Sequence, residues 1–469
     1  MLYDLLETMG EQGAEMKTSL NSMRSNTHSA APILNYDLAP RPEIIFGCMM
    51  PAPWCGAIAG LVLAFAPTQG LPNRFSPLVL SLTHLIALGM LVPIMIGALF
   101  QLFPVLGGQH VRATRYIAPF VALGSATLAG LLSFGFYTHE AQMFVLAAAI
   151  AGLLYGSVAI VLCEAALRLR LSAIADASLR TLAGIALAIA VVVVLACGLC
   201  LLLAGWWQFD LLALLQAHVW WALVGWVGCL VLGVASTVVP MFWQTPRPNA
   251  IWRRVTPYPI WISLAVISLP WASAWRTVLY SVAAIAGLIL MLVCLRHLLQ
   301  ARRRFDPAWS LWLGCVLSWA GAAVLLLLWM CSPLLENLLA QDSLQGEFFR
   351  AIPWWIGVAC LIGGGVFPVN AMLGKIIPFL VFLHVRRAIP LGQKIPSMQV
   401  ILPPQYLRWQ ARLVQLSLIM LVVLPLAPAQ MRVVAGLLFA LSQLSMAVLI
   451  LKCLFSYRKQ MQFKPNSSS

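Results

Sequence analysis

The sequence predicts an all-α polytopic membrane protein: twelve transmembrane helices in three four-helix repeats, arranged as a pseudo-threefold ring. Three observations predict it. Of the 469 residues, 62% are apolar and only 9% are charged. The apolar residues fall in continuous runs of about 20, the length a bilayer core demands, rather than in the alternation of a membrane barrel. A four-point signature of small, small, polar and proline residues then returns three times at fixed offsets.

Residues 1–43 are polar and of mixed charge, and read as a cytoplasmic N-terminal extension. Within it Leu2, Leu5, Leu6, Met9 and Met16 trace a faint amphipathic surface helix, with disorder as the alternative reading. No cleaved leader is expected, because the apolar run starts only after Glu43. The membrane domain covers 44–456. Spans are expected near 45–66, 76–103, 114–137, 142–163, 181–205, 211–240, 258–274, 277–299, 308–332, 354–383, 411–427 and 431–455. They divide into repeat units 44–165, 178–300 and 306–456, and 457–469 form a cytoplasmic tail.

The net charge of +15 is explained by topology. Of 29 Lys and Arg, only Arg74, Arg276, Arg350 and Arg432 fall on one side; the other 25 fall on the termini and the even-to-odd loops. The positive-inside rule therefore places both termini in the cytoplasm. Such a distribution suits a bilayer partner with some anionic lipid, and excludes nucleic acid. The eleven cysteines lie almost entirely within spans and behave there as small apolar residues. Cys197-x-x-Cys200 puts two sulfurs on one helical face, which alone is a weak metal signal.

The signature reads Gly89, Gly97, Gln101 and Pro104 in the second span. It reads Gly225, Gly233, Thr237 and Pro240 in the sixth, and Gly363, Ala371, Lys375 and Pro378 in the tenth. With the first residue at 0°, the others fall near 80°, 120° and 60° on a helix, so all four share one stripe. Small residues there let backbones approach. The polar members Gln101, Thr237 and Lys375 are candidate pore-lining residues; packing alone also accounts for the stripe. Four-span units begin and end on one membrane side, so the copies are expected to be related by rotation about the membrane normal. Pro378 is followed by further apolar residues, and the tenth span is expected to run long and kinked.

Two histidines, His84 and His218, lie well inside spans, each about 12 Å from the outer end of its helix. Intramembrane ionisable residues are costly and mark candidate sites, although a neutral imidazole bonded to a neighbouring carbonyl is the plain alternative. His84 precedes its glycine by five residues and His218 by seven. That is about 160° apart around the helix, which predicts different neighbours for the two. All fourteen acidic residues lie in tails, loops or span ends, which argues against proton or cation pumping. Glu164 is expected to pair with Arg168 at i+4.

Twelve spans in three units, with histidines near the outer ends of spans two and six, resemble subunit I of haem-copper oxidases. They also resemble its nitric-oxide-linked and uncharacterised relatives. Lys375-Ile-Ile-Pro-Phe-Leu-Val-Phe-Leu-His384 is similar to a stretch of those relatives. The resemblance implies His84 as an axial ligand of the low-spin haem, hence the metal-binding residue, and matches His218, the other cofactor-binding candidate, to the copper-binding histidine of the family's sixth span. It also implies a bacterial inner membrane and respiratory partner subunits. The chain departs from the pattern elsewhere. Ile356 and Val358 stand where the family carries His-x-His on span ten, span seven has no histidine pair, and Val219-Trp220-Trp221-Ala222 after His218 lacks a tyrosine. One imidazole does not hold copper. The expectation is therefore no copper and no oxygen reduction, with room for one haem that supports respiratory or nitrogen-oxide-related electron transfer or sensing. Cys360 and Met372 are available by residue type as a second axial ligand. Two other functions stay open: a carrier or channel for a small neutral solute, and an assembly factor of a respiratory complex.

Overall fold

The computed structural model describes residues 38, 40–108, 110–170, 177–249, 252, 255–269, 273–338, 343–388 and 396–462. The expected surface helix near residues 2–16 lies outside them. Among the described residues every regular element is a helix, and eleven helices are long and apolar enough to cross a membrane.

The first four are α1 (Pro42–Phe65), α2 (Pro77–Val105), α3 (Thr114–Thr138) and α4 (Ala141–Leu169). The next are α5 (Leu182–Leu203), α6 (Leu211–Trp243), the short α7 (Pro257–Ile267) and α8 (Ala274–Leu298). The last four are α9 (Pro307–Ser332), α10 (Glu347–Arg386), α11 (Pro404–Leu426) and α12 (Pro428–Gln460). Helix α7 differs from the expected span 258–274. It has 11 residues, about 17 Å of rise against the roughly 30 Å of a hydrocarbon core. Its helical turns stop before Ser268-Leu269-Pro270, because a residue preceding proline disfavours the α region. As expected, α10 is long, with 40 residues and Pro378 inside it.

The spans stay together although lipid removes the usual hydrophobic drive between helices. Close backbone approach through small residues does the work instead. The most extensive helix contacts join α8 to α9, α11 to α12, α4 to α5, and α12 to α1. In the last pair, a Cβ on Gly60 would lie 2.6 Å from both Ala440 N and Gly436 O, and one on Gly436 would lie 2.5 Å from Gly60 O. Gly60 and Ala64 thus face Gly436 and Ala440, and α1 meets α12 backbone to backbone; one turn earlier, Gly56 makes room for the Gln443 side chain. Arg432 Nη1 donates to Ala64 O at 2.6 Å, satisfying a carbonyl that the end of α1 leaves free.

The three signature helices share a local distortion. Each contains a π-helical turn: Ala87–Leu91 in α2, Trp221–Gly228 in α6 and Ala359–Val366 in α10. The first glycine of the signature lies inside each. Glycine holds an α-helix weakly, and neighbours press into the gaps it leaves. Cys55 Cβ comes within 2.9 Å of a Cβ position on Gly89, and Ser318 Oγ within 1.9 Å of one on Gly363. Trp319 of α9 presses its Nε1 edge on Gly364 and its far ring on Gly228, bridging α10 and α6. The π turns also touch one another, α2 with α10 and α6 with α10. At the other end, the helical turns of α2 run on to Gly107 and those of α6 end at Trp243, each three residues after its signature proline. The next residues, Gly108 (φ 61°) and Gln244 (φ 54°), both adopt the left-handed conformation that stops a helix.

Candidate functional site

Two features of the helix bundle have the character of a site: a pair of imidazoles and an apolar cavity. They lie on opposite faces of α2.

His84 sits on the regular turns of α2 before the π turn. Its Nδ1 is 2.8 Å from Leu80 O, and its ring stands 5.3 Å from the Phe136 ring of α3. The carbonyl bond fixes Nδ1 as the donor and leaves Nε2 as the free nitrogen, the arrangement a ligating histidine uses. His218 is half-buried on α6, and its buried Nδ1 has no partner among the described residues. A π turn begins between each histidine and the first glycine of its signature, which alters the 100° count behind the expected angular difference.

The cavity, about 110 Å³ and open at its mouth, lies between α1, α2, α10, α11 and α12. Leu82 and Thr83 form the α2 wall, Gly357 and Val358 the α10 wall, and Phe439 belongs to α12. A Cβ on Gly357 would meet nothing within 4 Å. Trp354 Nε1 donates to Leu421 O at 2.8 Å and Trp355 Nε1 to Val422 O at 2.8 Å, tying α10 to the end of α11 beside the cavity. At the mouth lies Arg74. Its guanidinium stands 4.7 Å from the Phe75 ring centre and 4.9 Å from that of Trp329.

This cavity lies between the two spans to which the resemblance assigns a low-spin haem, and its residues do not fit that group. No histidine, methionine, cysteine or tyrosine lines it. The α2 residues that do, Val79, Leu82, Thr83 and Ile86, point about 150° around the helix from His84. Val358, where the resemblance would put a histidine, forms part of the wall. Cys360 and Met372 are buried and outside the lining. Among the described residues no three His, Cys, Asp or Glu come together.

The signature's polar residues separate. Gln101 is buried, and its Oε1 has no partner among the described residues; Thr237 is half-buried. Lys375 is taken up by an ion pair with Asp306 and lies 5.8 Å from the Trp243 ring centre. Asp306 also caps α9 through Ala308 N. Glu164 pairs more closely with Arg112, at 2.8 Å, than with the expected Arg168, at 3.9 Å. Cys197 Sγ lies 3.4 Å from Ala148 O, a thiol–carbonyl contact between helices rather than half of a metal pair. Two features escaped the sequence reading. Arg74 counted only as topology, since nothing local announces the cavity. Asn370, on α10 after the π turn, is 1% exposed with both amide atoms unpartnered among the described residues. Its signal was an amide in the middle of an apolar span.

No family model matches the chain, and no curated protein matches it.

Proposed function

We infer that this chain is a haem-copper-oxidase-like scaffold that has given up oxygen chemistry and binds a membrane-soluble molecule in the cavity between α2 and α10. The cavity carries the reading: it occupies the span pair that resembles a haem site, yet its wall is apolar and free of ligands. The scaffold is twelve spans in three four-helix units about a pseudo-threefold axis, with α7 as the shortened member. The coincident π turns support this, as does the pairing of each unit's last helix with the next unit's first. Residues equivalent under a rotation meet only on its axis, and Leu91, Val227 and Gly365 hold one register and meet. Both termini lie on the basic, cytoplasmic side of a bacterial inner membrane, in contact with respiratory subunits.

Native mass spectrometry of the protein released from nanodiscs tests this reading. A retained small molecule, lost in Gly357→Leu, supports it; an empty wild-type protein removes it.

The His84–Leu80 bond and the orphaned Nδ1 of His218 favour a second reading, in which these imidazoles hold one haem. A reduced-minus-oxidised spectrum decides between them. A Soret band lost in both His84→Ala and His218→Ala favours the haem; a colourless preparation from haem-replete cells rules it out.

A further inference from the structure

The cavity's chemistry narrows its occupant, resting on the reading above. The interior offers apolar side chains and almost no hydrogen-bonding groups, so a polar or hydrated ligand would lose its water without compensation. Only the mouth is charged. Arg74 is fixed there by the flanking rings of Phe75 and Trp329 and is solvent-accessible. Among the described residues no carboxylate pairs with it. A planar, unpaired guanidinium beside an apolar slot matches a carboxylate or phosphate at the end of a hydrocarbon chain. Gly357 keeps the slot open, since its missing side chain faces empty space.

We propose that this cavity binds the acyl chain of an anionic amphiphile whose head is held by Arg74. A free fatty acid and an anionic phospholipid share this chemistry, and the test separates them. The full-length protein in nanodiscs of neutral phosphatidylcholine is irradiated with three photoreactive probes: a diazirine palmitate, a diazirine phosphatidylglycerol and an uncharged diazirine hexadecanol. Labelled peptides are then mapped.

The expected result is labelling by one or both anionic probes on peptides spanning 79–86 and 353–362. Whichever labels identifies the source. Labelling should fall about tenfold in Arg74→Gln, the loss of one charge-assisted contact. It should disappear in Gly357→Leu and in Thr83→Phe, which fills the facing wall, and stay unchanged in Arg115→Gln on an exposed residue elsewhere. Equal labelling by hexadecanol with no effect of Arg74→Gln overturns the anionic assignment and leaves the cavity reading standing. Labelling spread over the bundle and indifferent to Gly357→Leu and Thr83→Phe overturns both.

Discussion

Leu91 and Gly365 stand two residues after the first signature glycine of their respective helices, and they touch: a Cβ on Gly365 would lie 2.8 Å from Leu91 Cδ1. Val227, at the same register in α6, comes within 3.6 Å of that point. Gly365 is therefore where the three distorted helices close on one another. The close approach needs a residue without a side chain on one of them.

Gly365→Leu should destabilise the protein by about 1–3 kcal/mol, the usual penalty of overpacking. The obstructing atom is the far end of a leucine, so adding Leu91→Ala should restore a good part of the loss. Thermal unfolding of the single and double variants in one detergent measures this, as a coupling rather than a sum.

Two glycines six residues apart on α10 should respond oppositely to the same change. Gly363→Ala drives a methyl group onto Ser318 Oγ and Cβ, at 1.9 and 2.3 Å, and should cost about 1–3 kcal/mol. Gly357→Ala meets open space and should stay within about 0.5 kcal/mol of the parent. Comparable losses at both sites would show that the cavity is not open.

The α1–α12 seam should be the least forgiving place in the molecule. A Cβ at Gly60 meets main-chain atoms of Gly436 and Ala440, which cannot rotate away. Gly60→Val is expected to lower the yield of monodisperse protein several-fold relative to Gly130→Val, whose Cβ meets nothing within 4 Å. Size-exclusion chromatography of matched preparations checks it.

The Lys375–Asp306 pair is partly buried, with side chains 19% and 22% exposed. Lys375→Met should cost about 1–2 kcal/mol, between the values of surface and buried pairs. Asp306→Asn keeps an oxygen for Ala308 N and should cost less. Denaturant unfolding of both variants and their combination should show a coupling of about 1 kcal/mol.

The spans were legible because length and apolarity decide them, and the signature because its offsets survive in sequence. The expected span overran α7 because the apolar run continues past Ile267, whereas the helix ends there. The angular count from His84 and His218 to their glycines crosses a π turn in each helix, which residue counting cannot see, since it assumes an uninterrupted α-helix. The ion pair of Lys375 with Asp306 joins residues 69 apart, and nothing local marks either as the other's partner. The cavity was invisible for the same reason. Five helices make it, and its most telling residue, Gly357, contributes by having no side chain.

The seam between α1 and α12 ties Ala64 to Arg432 across 368 residues of chain. Helix α1 enters the bilayer long before its partner does. Until Pro428–Gln460 follows it, Gly60 and Ala64 stay a bare strip of backbone and Ala64 O lacks Arg432. A chain cut short before Pro428 carries that open strip, by which it can be told from one that includes α12.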